Sequence, residues 1–228
     1  MIQAQNLDFP WLTHGFGMRD SVPPPQLTTA KQIHSALVLD ACGRKGEQIG
    51  LGDAIISDEP GVAIGIRTAD CVPILVADPK TRIIAAVHAG WRGTAANIIG
   101  ATIEQLKWRG AAAENLCVAI GPSIGSCCYE VSADVARQFD RWRPSDVDRE
   151  QSPVDRPSVK PDSPLIKPDL PRITLDLPAI NEAQLLEAGV RQIWKAGECT
   201  YCNPGRFFSF RREKEQAGRM LSFVNRLA

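Results

Sequence analysis

Short apolar runs separated by turn residues fill much of the chain and predict a β-rich core. Apolar runs rich in Val and Ile and bounded by Gly, Pro, Asp or Ser are typical of buried strands. The predicted strands are Ala36–Leu39, Ala54–Ser57, Val62–Ile66, Val72–Ala77, Ile83–Val87, Leu116–Ile120 and Ile173–Leu175. The turn sequence Asp78–Thr81 joins the two central runs into a predicted β-hairpin.

Helical periodicity is found in three places between or after these strands. Apolar positions three and four residues apart predict a helix over Ala95–Trp108, with Thr94 as its N-cap. Two further helices are predicted over Ala133–Trp142 and Ala179–Ala188, and the last ends at Gly189. A hairpin combined with strand–helix alternation indicates a mixed α/β fold, in which helices cover a mixed β-sheet.

Composition changes between Arg143 and Arg172, where the chain is rich in Pro, Asp, Ser and Lys and lacks apolar periodicity. Such a segment buries too little apolar surface to offset its ordering entropy. We therefore expect a Pro-rich loop insertion at about 143–172 within a single domain that spans 1–228. A lid over a pocket is the functional alternative for this segment.

Charge and cysteine content exclude several classes of function. The 228 residues include 26 basic and 26 acidic ones, a balance that disfavours binding to nucleic acid. The N-terminus has no signal-like segment, and the longest apolar tract is interrupted by Arg67 and Asp70, so neither export nor membrane insertion is expected. Seven cysteines without an export signal indicate reduced thiols in a cytoplasmic protein.

The most reactive residue types frame the predicted hairpin. Cys71 precedes its first strand and His88 follows its second. A turn centred between Pro79 and Lys80 would place these two side chains directly opposite each other, with Cβ atoms roughly 5 Å apart. The pair can act as a nucleophile and its base, or as two ligands of a metal ion.

His34 supplies the third ligand of the metal hypothesis. Two imidazoles and one thiolate suit zinc and leave a fourth position for water or substrate. Copper accepts a similar set, but the chain has only three histidines, which leaves His14 alone for any further copper. The histidines therefore permit one metal ion of this kind and disfavour a four-copper centre.

A glycine-containing loop follows the second hairpin strand. Gly90 and Gly93 bracket Arg92, and backbone N–H groups at the start of a helix favour bound anions. This loop is a candidate phosphate site beside the metal, whereas its simpler interpretation is a tight strand-to-helix connection. The run Phe207–Arg212 is predicted as a further strand, from which Arg211 could enter the site.

Four other cysteines have ligand-like spacing. Cys199 and Cys202 form a C-x-x-C pair, and Cys127 and Cys128 are adjacent. Together they could form a four-cysteine structural zinc site, whereas isolated thiols near a pocket wall are the simpler interpretation.

The motifs together resemble the YfiH family, also named the multicopper polyphenol oxidoreductase or laccase-domain family. The matching stretches are Gln32–His34, Gly52–Ala54, Thr68–Pro73, His88–Gly93, Gly121–Gly125, Tyr129–Val131, Cys199–Tyr201, Phe207–Arg212 and Gly218–Arg219. They cover most of the chain outside the Pro-rich segment. The resemblance implies a laccase-domain fold, with His34, Cys71 and His88 as ligands of a catalytic zinc ion.

The resemblance also implies a chemistry, because some members are described as purine nucleoside phosphorylases with adenosine deaminase activity. In phosphorolysis, phosphate near Arg92 would attack the ribose carbon as the purine departs. In deamination, an activated water would attack the ring carbon that bears the amine. The implied partners are phosphate and purine nucleosides, namely adenosine, inosine, guanosine and methylthioadenosine. Asp70 is a candidate for proton transfer or for orienting a ligand.

Two other functions use the same residues. A cysteine hydrolase or amidase would take Cys71 as nucleophile, His88 as base and loop amides as oxyanion donors. The resemblance adds that some family members are linked to the editing of peptidoglycan precursors. A non-catalytic sensor would use the pocket to bind a nucleotide or another anion. Zinc content and turnover distinguish these functions.

Overall fold

The computed structural model describes residues 1–142 and 173–228, so the insertion predicted at 143–172 lies outside the described residues. The strands are β1 Leu12–Gly15, β2 Thr29–Lys31, β3 Val38–Asp40, β4 Gln48–Leu51, β5 Ala54–Ser57, β6 Ala63–Thr68, β7 Val72–Ala77, β8 Ile84–Ala89, β9 Cys117–Ile120, β10 Glu130–Val131, β11 Ile173–Thr174, β12 Gln192–Lys195 and β13 Met220–Arg226. The helices are α1 Trp91–Ala95, α2 Ile98–Trp108, α3 Ala133–Arg137, α4 Leu177–Glu187 and α5 Phe210–Glu213. In this part of the chain, no helix has both the length and the apolar character of a membrane span.

A six-stranded mixed sheet forms the centre of the fold, with strand order β12-β9-β7-β8-β5-β3. On one face of it, Val72, Ile74 and Val76 of β7 belong to an apolar cluster with α2 and α4. On the other face, Leu75 and Ala77 join a cluster with the antiparallel sheet β1-β13-β6. Because both faces are covered, every residue of β7 and β8 is buried, which explains their continuous apolar sequences. The predicted mixed α/β fold is confirmed.

The register of the central hairpin differs from the predicted one by two residues. β7 and β8 pair with Pro73, not Cys71, opposite His88. The connection is longer than a four-residue turn, since it begins at Asp78 and includes Arg82 at a left-handed φ of 59°. The prediction of a directly opposed pair is therefore wrong. Because side chains alternate between the two faces of a strand, a shift of two residues keeps both side chains on the same face.

The helix predicted over Ala95–Trp108 is instead the second of two helices. Asn97 takes a left-handed φ of 58° between α1 and α2, and its side chain accepts a backbone N–H from the first turn of α2. Asn tolerates this conformation and caps helices well, so Asn97 rather than Thr94 is the N-cap. α1 begins directly after Gly90, which brings a helix start closer to the site than predicted.

Two further predictions differ from the structure. α3 covers only the first half of the helix predicted over Ala133–Trp142. The run Phe207–Arg212 is not a strand, because the Ser209 hydroxyl oxygen accepts the Arg212 N–H and starts α5. Side-chain capping of this kind competes with extended structure.

His14 gives the fold a contact that depends on pH. Its ring is buried in β1, and Nε2 accepts the Ala4 N–H at 2.8 Å, which requires that nitrogen to be unprotonated. Burial lowers the pKa of His14 below its ordinary value of 6.5. The unfolded chain then binds a proton that the folded protein excludes. The free energy of unfolding should therefore fall as the pH drops below about 6.5, by at most about 1.4 kcal/mol per pH unit.

Denaturant titrations of the wild type and His14→Gln measure this effect at neutral pH and at about pH 5.5. The variant keeps a carbonyl acceptor but no titrating ring, so it should lose less stability on acidification. Equal losses in the two proteins would contradict the assignment.

Candidate metal centre

The three predicted ligands converge at one end of the six-stranded sheet. Ring nitrogens of His34 and His88 and the Sγ of Cys71 all lie within 4.8 Å of one another. The Cys71 Sγ is 3.9 Å from the His34 Nε2, and the two imidazole rings meet edge to face with their centroids 4.9 Å apart. Ligand atoms that share one zinc ion stand roughly 3.5 Å apart, given the usual Zn–S and Zn–N distances. The donor types and their spacing therefore fit one metal ion.

Burial decreases across this cluster. His88 is buried, Cys71 is half-buried and His34 is exposed. The cluster thus has one side within the protein and one side towards solvent. Three protein ligands with access to solvent are typical of catalytic zinc sites, whereas structural sites are closed by four.

Asp53, which is absent from the predicted site residues, positions two of the candidate ligands. Its fully buried carboxylate accepts a hydrogen bond from Nδ1 of His88 at 2.8 Å. The same carboxylate accepts the backbone N–H groups of Ile33, His34 and Ser35 and the Ser35 hydroxyl, at 2.7–3.2 Å. These bonds hold His34 at a left-handed φ of 60°. Since His88 uses Nδ1 for Asp53, its Nε2 is the nitrogen available to a metal.

The same hydrogen bonds determine the charges in the site. Burial raises the pKa of Asp53, but the bonds from His88 and Ser35 outweigh it and hold that pKa well below its ordinary value. Burial lowers the pKa of His88, but Asp53 and Cys71 outweigh it and raise that pKa to about 9. Burial raises the pKa of Cys71, but the two imidazoles outweigh it and lower that pKa to about 6. A thiolate is therefore favoured at neutral pH, as both ligation and nucleophilic attack require.

Asp70 binds groups other than the three ligands. It is buried, with a left-handed φ of 91°. Its carboxylate accepts the Thr200 hydroxyl at 2.7 Å, the Ser209 hydroxyl at 3.0 Å and the Arg211 N–H at 2.7 Å. These contacts connect the residue before Cys71 to two later segments of the chain. The proton-transfer role of Asp70 stays a prediction, and the contacts show that it positions Arg211.

Two arginines and the Cys71 thiol act electrostatically on Tyr129. The Arg211 guanidinium lies over the Tyr129 ring, 5.2 Å from its centroid, and the Arg92 guanidinium lies over Trp91 at 4.4 Å. Burial, followed by the negative charge of Cys71, raises the pKa of Tyr129 to about 12, although both arginines oppose the shift. Tyr129 is therefore a neutral phenol within electrostatic reach of the thiol and of two cations.

Gly90 and Gly93 allow close packing beside the cluster. A Cβ on Gly90 would lie 2.8 Å from Cδ2 of His34 and 3.1 Å from Sγ of Cys71. A Cβ on Gly93 would lie 2.9 Å from the Ser35 carbonyl oxygen. The missing side chains let α1 start against the candidate ligands His34 and Cys71. Phosphate binding by these two glycines stays a prediction.

Gly90→Ala should weaken metal binding, because the added methyl group must displace His34 or Cys71. We expect the zinc affinity to fall by roughly the 10- to 100-fold that is typical when the support of a metal ligand is lost. Competition with a chromophoric chelator measures the affinity. Gly205→Ala is the matched control, since nothing lies within 4 Å of a Cβ at that position. Unchanged affinity in Gly90→Ala would contradict the steric argument.

The fold and the site define an α/β protein with a candidate three-ligand metal centre at one end of a mixed sheet. Residues 17–226 match the family model described as "Multi-copper polyphenol oxidoreductase laccase". The chain belongs to this family, and the resemblance found in the sequence is confirmed.

Known proteins that resemble the chain carry two kinds of enzyme name. The purine nucleoside phosphorylase of Deinococcus radiodurans is 36% identical over 193 residues, which cover 85% of this chain and 67% of that protein. Adenosine deaminase RL5, from an unknown prokaryotic organism, is 34% identical over 178 residues, which cover 76% of this chain and 62% of that protein. The crystal structure of YlmD from Geobacillus stearothermophilus has a TM-score of 0.80 at 27% identity, covering 99% of this chain and 94% of its own.

The family description names several copper ions, whereas the cluster of His34, Cys71 and His88 has ligands for only one metal ion. The residues that the structure describes contain two clusters of possible metal ligands, this one and a group of four cysteines. His14 belongs to neither cluster, and its Nε2 already accepts the Ala4 N–H. Two histidines and one cysteine suit a single zinc or copper ion.

Proposed function

We propose that this chain is a zinc-dependent purine nucleoside phosphorylase that also has adenosine deaminase activity. The observation that carries the proposal is the convergence of His34, Cys71 and His88 on one cluster with access to solvent. Relatives named for the two activities support it. The proposed substrates are adenosine, inosine, guanosine and methylthioadenosine, with phosphate. A zinc ion bound there would supply a Lewis acid that polarises oxygen atoms and lowers the pKa of water.

The residues around the ligands suit these reactions. Asp53 fixes the tautomer of His88, so Nε2 presents its lone pair to the metal. We assign phosphate binding to Arg92 and Arg211, because guanidinium groups pair with phosphate oxygens in a bidentate way. Tyr129 can donate a hydrogen bond to phosphate or to a nucleoside oxygen, because its phenol stays protonated at neutral pH. Phosphate and ribose held beside each other would react with a large entropic advantage.

A cysteine hydrolase or amidase is the second candidate, and the lowered pKa of Cys71 beside His88 favours it. In this case the thiolate attacks a carbonyl carbon, and the imidazolium of His88 returns a proton to the leaving amine. Amide bonds of peptidoglycan precursors are one substrate class for such an enzyme. His34 is not a reacting group in this chemistry, although it helps to lower the pKa of Cys71, whereas the metal proposal requires it as a ligand.

A substrate panel tests the proposal. Zinc-loaded protein is incubated with each of the four nucleosides, with and without phosphate, and the products are separated by chromatography. We expect free purine base and a sugar 1-phosphate only when phosphate is present. The sugar product should be ribose 1-phosphate from adenosine, inosine and guanosine, and methylthioribose 1-phosphate from methylthioadenosine. Adenosine should also give inosine and ammonia in either condition.

Chelation separates the two enzyme classes. Removal of zinc should abolish turnover of nucleosides, and added zinc should restore it. Turnover that survives complete chelation and is lost only on thiol alkylation would overturn the metal proposal. Saturable binding of nucleosides by fully metallated protein without any product would instead favour a sensor.

A further inference from the structure

A second cluster of sulfur atoms shares no residue with the site described above. The Sγ atoms of Cys127, Cys128, Cys199 and Cys202 all lie within 4.8 Å of one another. Sγ of Cys202 is 3.4 Å from that of Cys128 and 3.7 Å from that of Cys127. A tetrahedral zinc ion with four thiolate ligands places its sulfur atoms roughly 3.8 Å apart. The four thiols therefore already have nearly the spacing of a four-cysteine zinc site.

Two loops that are distant in sequence bring these thiols together. The two loops, which carry Ser123 and Cys199, form a parallel β-bridge at these residues. The Thr200 N–H donates to the Ser123 carbonyl oxygen at 3.0 Å. The Gly125 N–H donates to Sγ of Cys199 at 3.3 Å, the kind of hydrogen bond that orients a metal ligand. A Cβ on Gly125 would lie 3.3 Å from Sγ of Cys127 and 3.5 Å from Cβ of Cys199, so this glycine leaves the room that the sulfurs occupy.

The loop that carries Cys199 and Cys202 is fixed by hydrogen bonds to its backbone. The Arg212 guanidinium donates to the carbonyl oxygens of the two residues between these cysteines, at 2.9 and 2.6 Å. The Asn203 side-chain amide donates to the Cys199 carbonyl oxygen at 3.0 Å. The C-x-x-C spacing is also usual for structural zinc ligands. The backbone that carries both thiols is therefore held in place without a metal, which lowers the entropic cost of binding one.

We propose that Cys127, Cys128, Cys199 and Cys202 bind a structural zinc ion that is separate from the candidate catalytic metal. Binding would form four Zn–S bonds and release the four thiol protons to solvent. Four protein ligands leave no open position, so this ion would cross-link the two loops rather than take part in catalysis. The inference does not depend on the proposed function, because it concerns different ligands.

The zinc cross-link would also stabilise the candidate catalytic site of His34, Cys71 and His88, through residues next to the cysteines. Tyr129 directly follows Cys128, and Thr200 directly follows Cys199. The Thr200 hydroxyl donates to Asp70, which precedes the ligand Cys71. Fixing the two loops thus fixes the phenol and the buried carboxylate beside the catalytic ligands.

Metal analysis of the purified full chain tests the proposal. We expect two zinc equivalents per chain in the wild type and one in the Cys127→Ser/Cys202→Ser double variant, which replaces the two exposed ligands. Cys42→Ser is the matched control, since Cys42 is an exposed thiol outside the cluster. His34→Ala should lose the other zinc, so failure of either site is distinguishable from failure of both.

Cobalt(II) provides a readout that does not depend on counting zinc. A cobalt ion with four thiolate ligands gives stronger sulfur-to-metal charge-transfer absorption than one with a single thiolate. This strong band should persist in His34→Ala and disappear in the double variant. Unchanged zinc content in the double variant would overturn the proposal, as would freshly purified wild type with one zinc equivalent and a disulfide between Cys202 and Cys127 or Cys128.

Discussion

Replacing His34 with alanine should remove one zinc equivalent and abolish nucleoside turnover while the protein stays folded. The side chain is exposed, so its loss removes no core packing. Two ligands would remain at a site type that uses three protein ligands when it is catalytic. The rate of phosphorolysis should fall by more than the roughly 10- to 100-fold that is typical when only a hydrogen-bond partner of a ligand is lost. Metal analysis and the chromatographic assay measure the two effects.

Lys31→Ala is the matched control for this variant, because Lys31 is an exposed residue of the same segment. Its zinc content and turnover should equal those of the wild type. Imidazole added to His34→Ala should restore part of the activity, since the vacated position faces solvent. Full activity of a zinc-depleted His34→Ala protein would instead favour the cysteine hydrolase, in which His34 neither reacts nor binds a metal.

The central strands could be predicted from the sequence because both of their faces are buried. β5 and β7 have the predicted bounds, since their continuous apolar runs end at turn residues on both sides. β2, β4 and β12 are short and partly exposed, so their apolar pattern is interrupted. These strands are extended because they pair with other strands, and the apolar pattern of a short segment does not show which strand it will pair with.

The three candidate ligands could be picked out by residue type, whereas the network behind them could not. Cys71 and His88 lie on one face despite the wrong register, because the error was an even number of residues. Asp53 was missed because its partners are 18–35 residues away in sequence and use mainly backbone N–H groups. The sequence offers two signals for Asp53: a carboxylate directly before an apolar strand, and its place in the matching stretch Gly52–Ala54. The convergence of Cys127 with Cys199 likewise requires the pairing of two distant loops.

Asp53→Asn should preserve the shape of the side chain and still disrupt the candidate metal centre. Each carboxylate oxygen accepts at least two hydrogen bonds, including those from His88, His34 and Ser35. An amide replaces one oxygen with a donor, so in either orientation an N–H group faces another donor. A buried donor without a partner costs about 1–3 kcal/mol, and His88 can lose its fixed tautomer. We expect the zinc affinity of this site to fall about 10- to 100-fold in a competition titration with a chromophoric chelator.

Asp78→Asn makes the same chemical change at a site without metal ligands. Asp78 is also buried, and its carboxylate accepts the Lys80 N–H and the Thr81 hydroxyl in the connection between β7 and β8. An asparagine at position 78 can accept the Lys80 N–H and donate to the Thr81 hydroxyl oxygen, so Asp78→Asn should lower the melting temperature less than Asp53→Asn does. Only Asp53→Asn should also lower the zinc affinity and the turnover that depends on it. Equal losses of affinity in the two variants would show that Asp53 acts through the stability of the fold, and not through its bonds to His34 and His88.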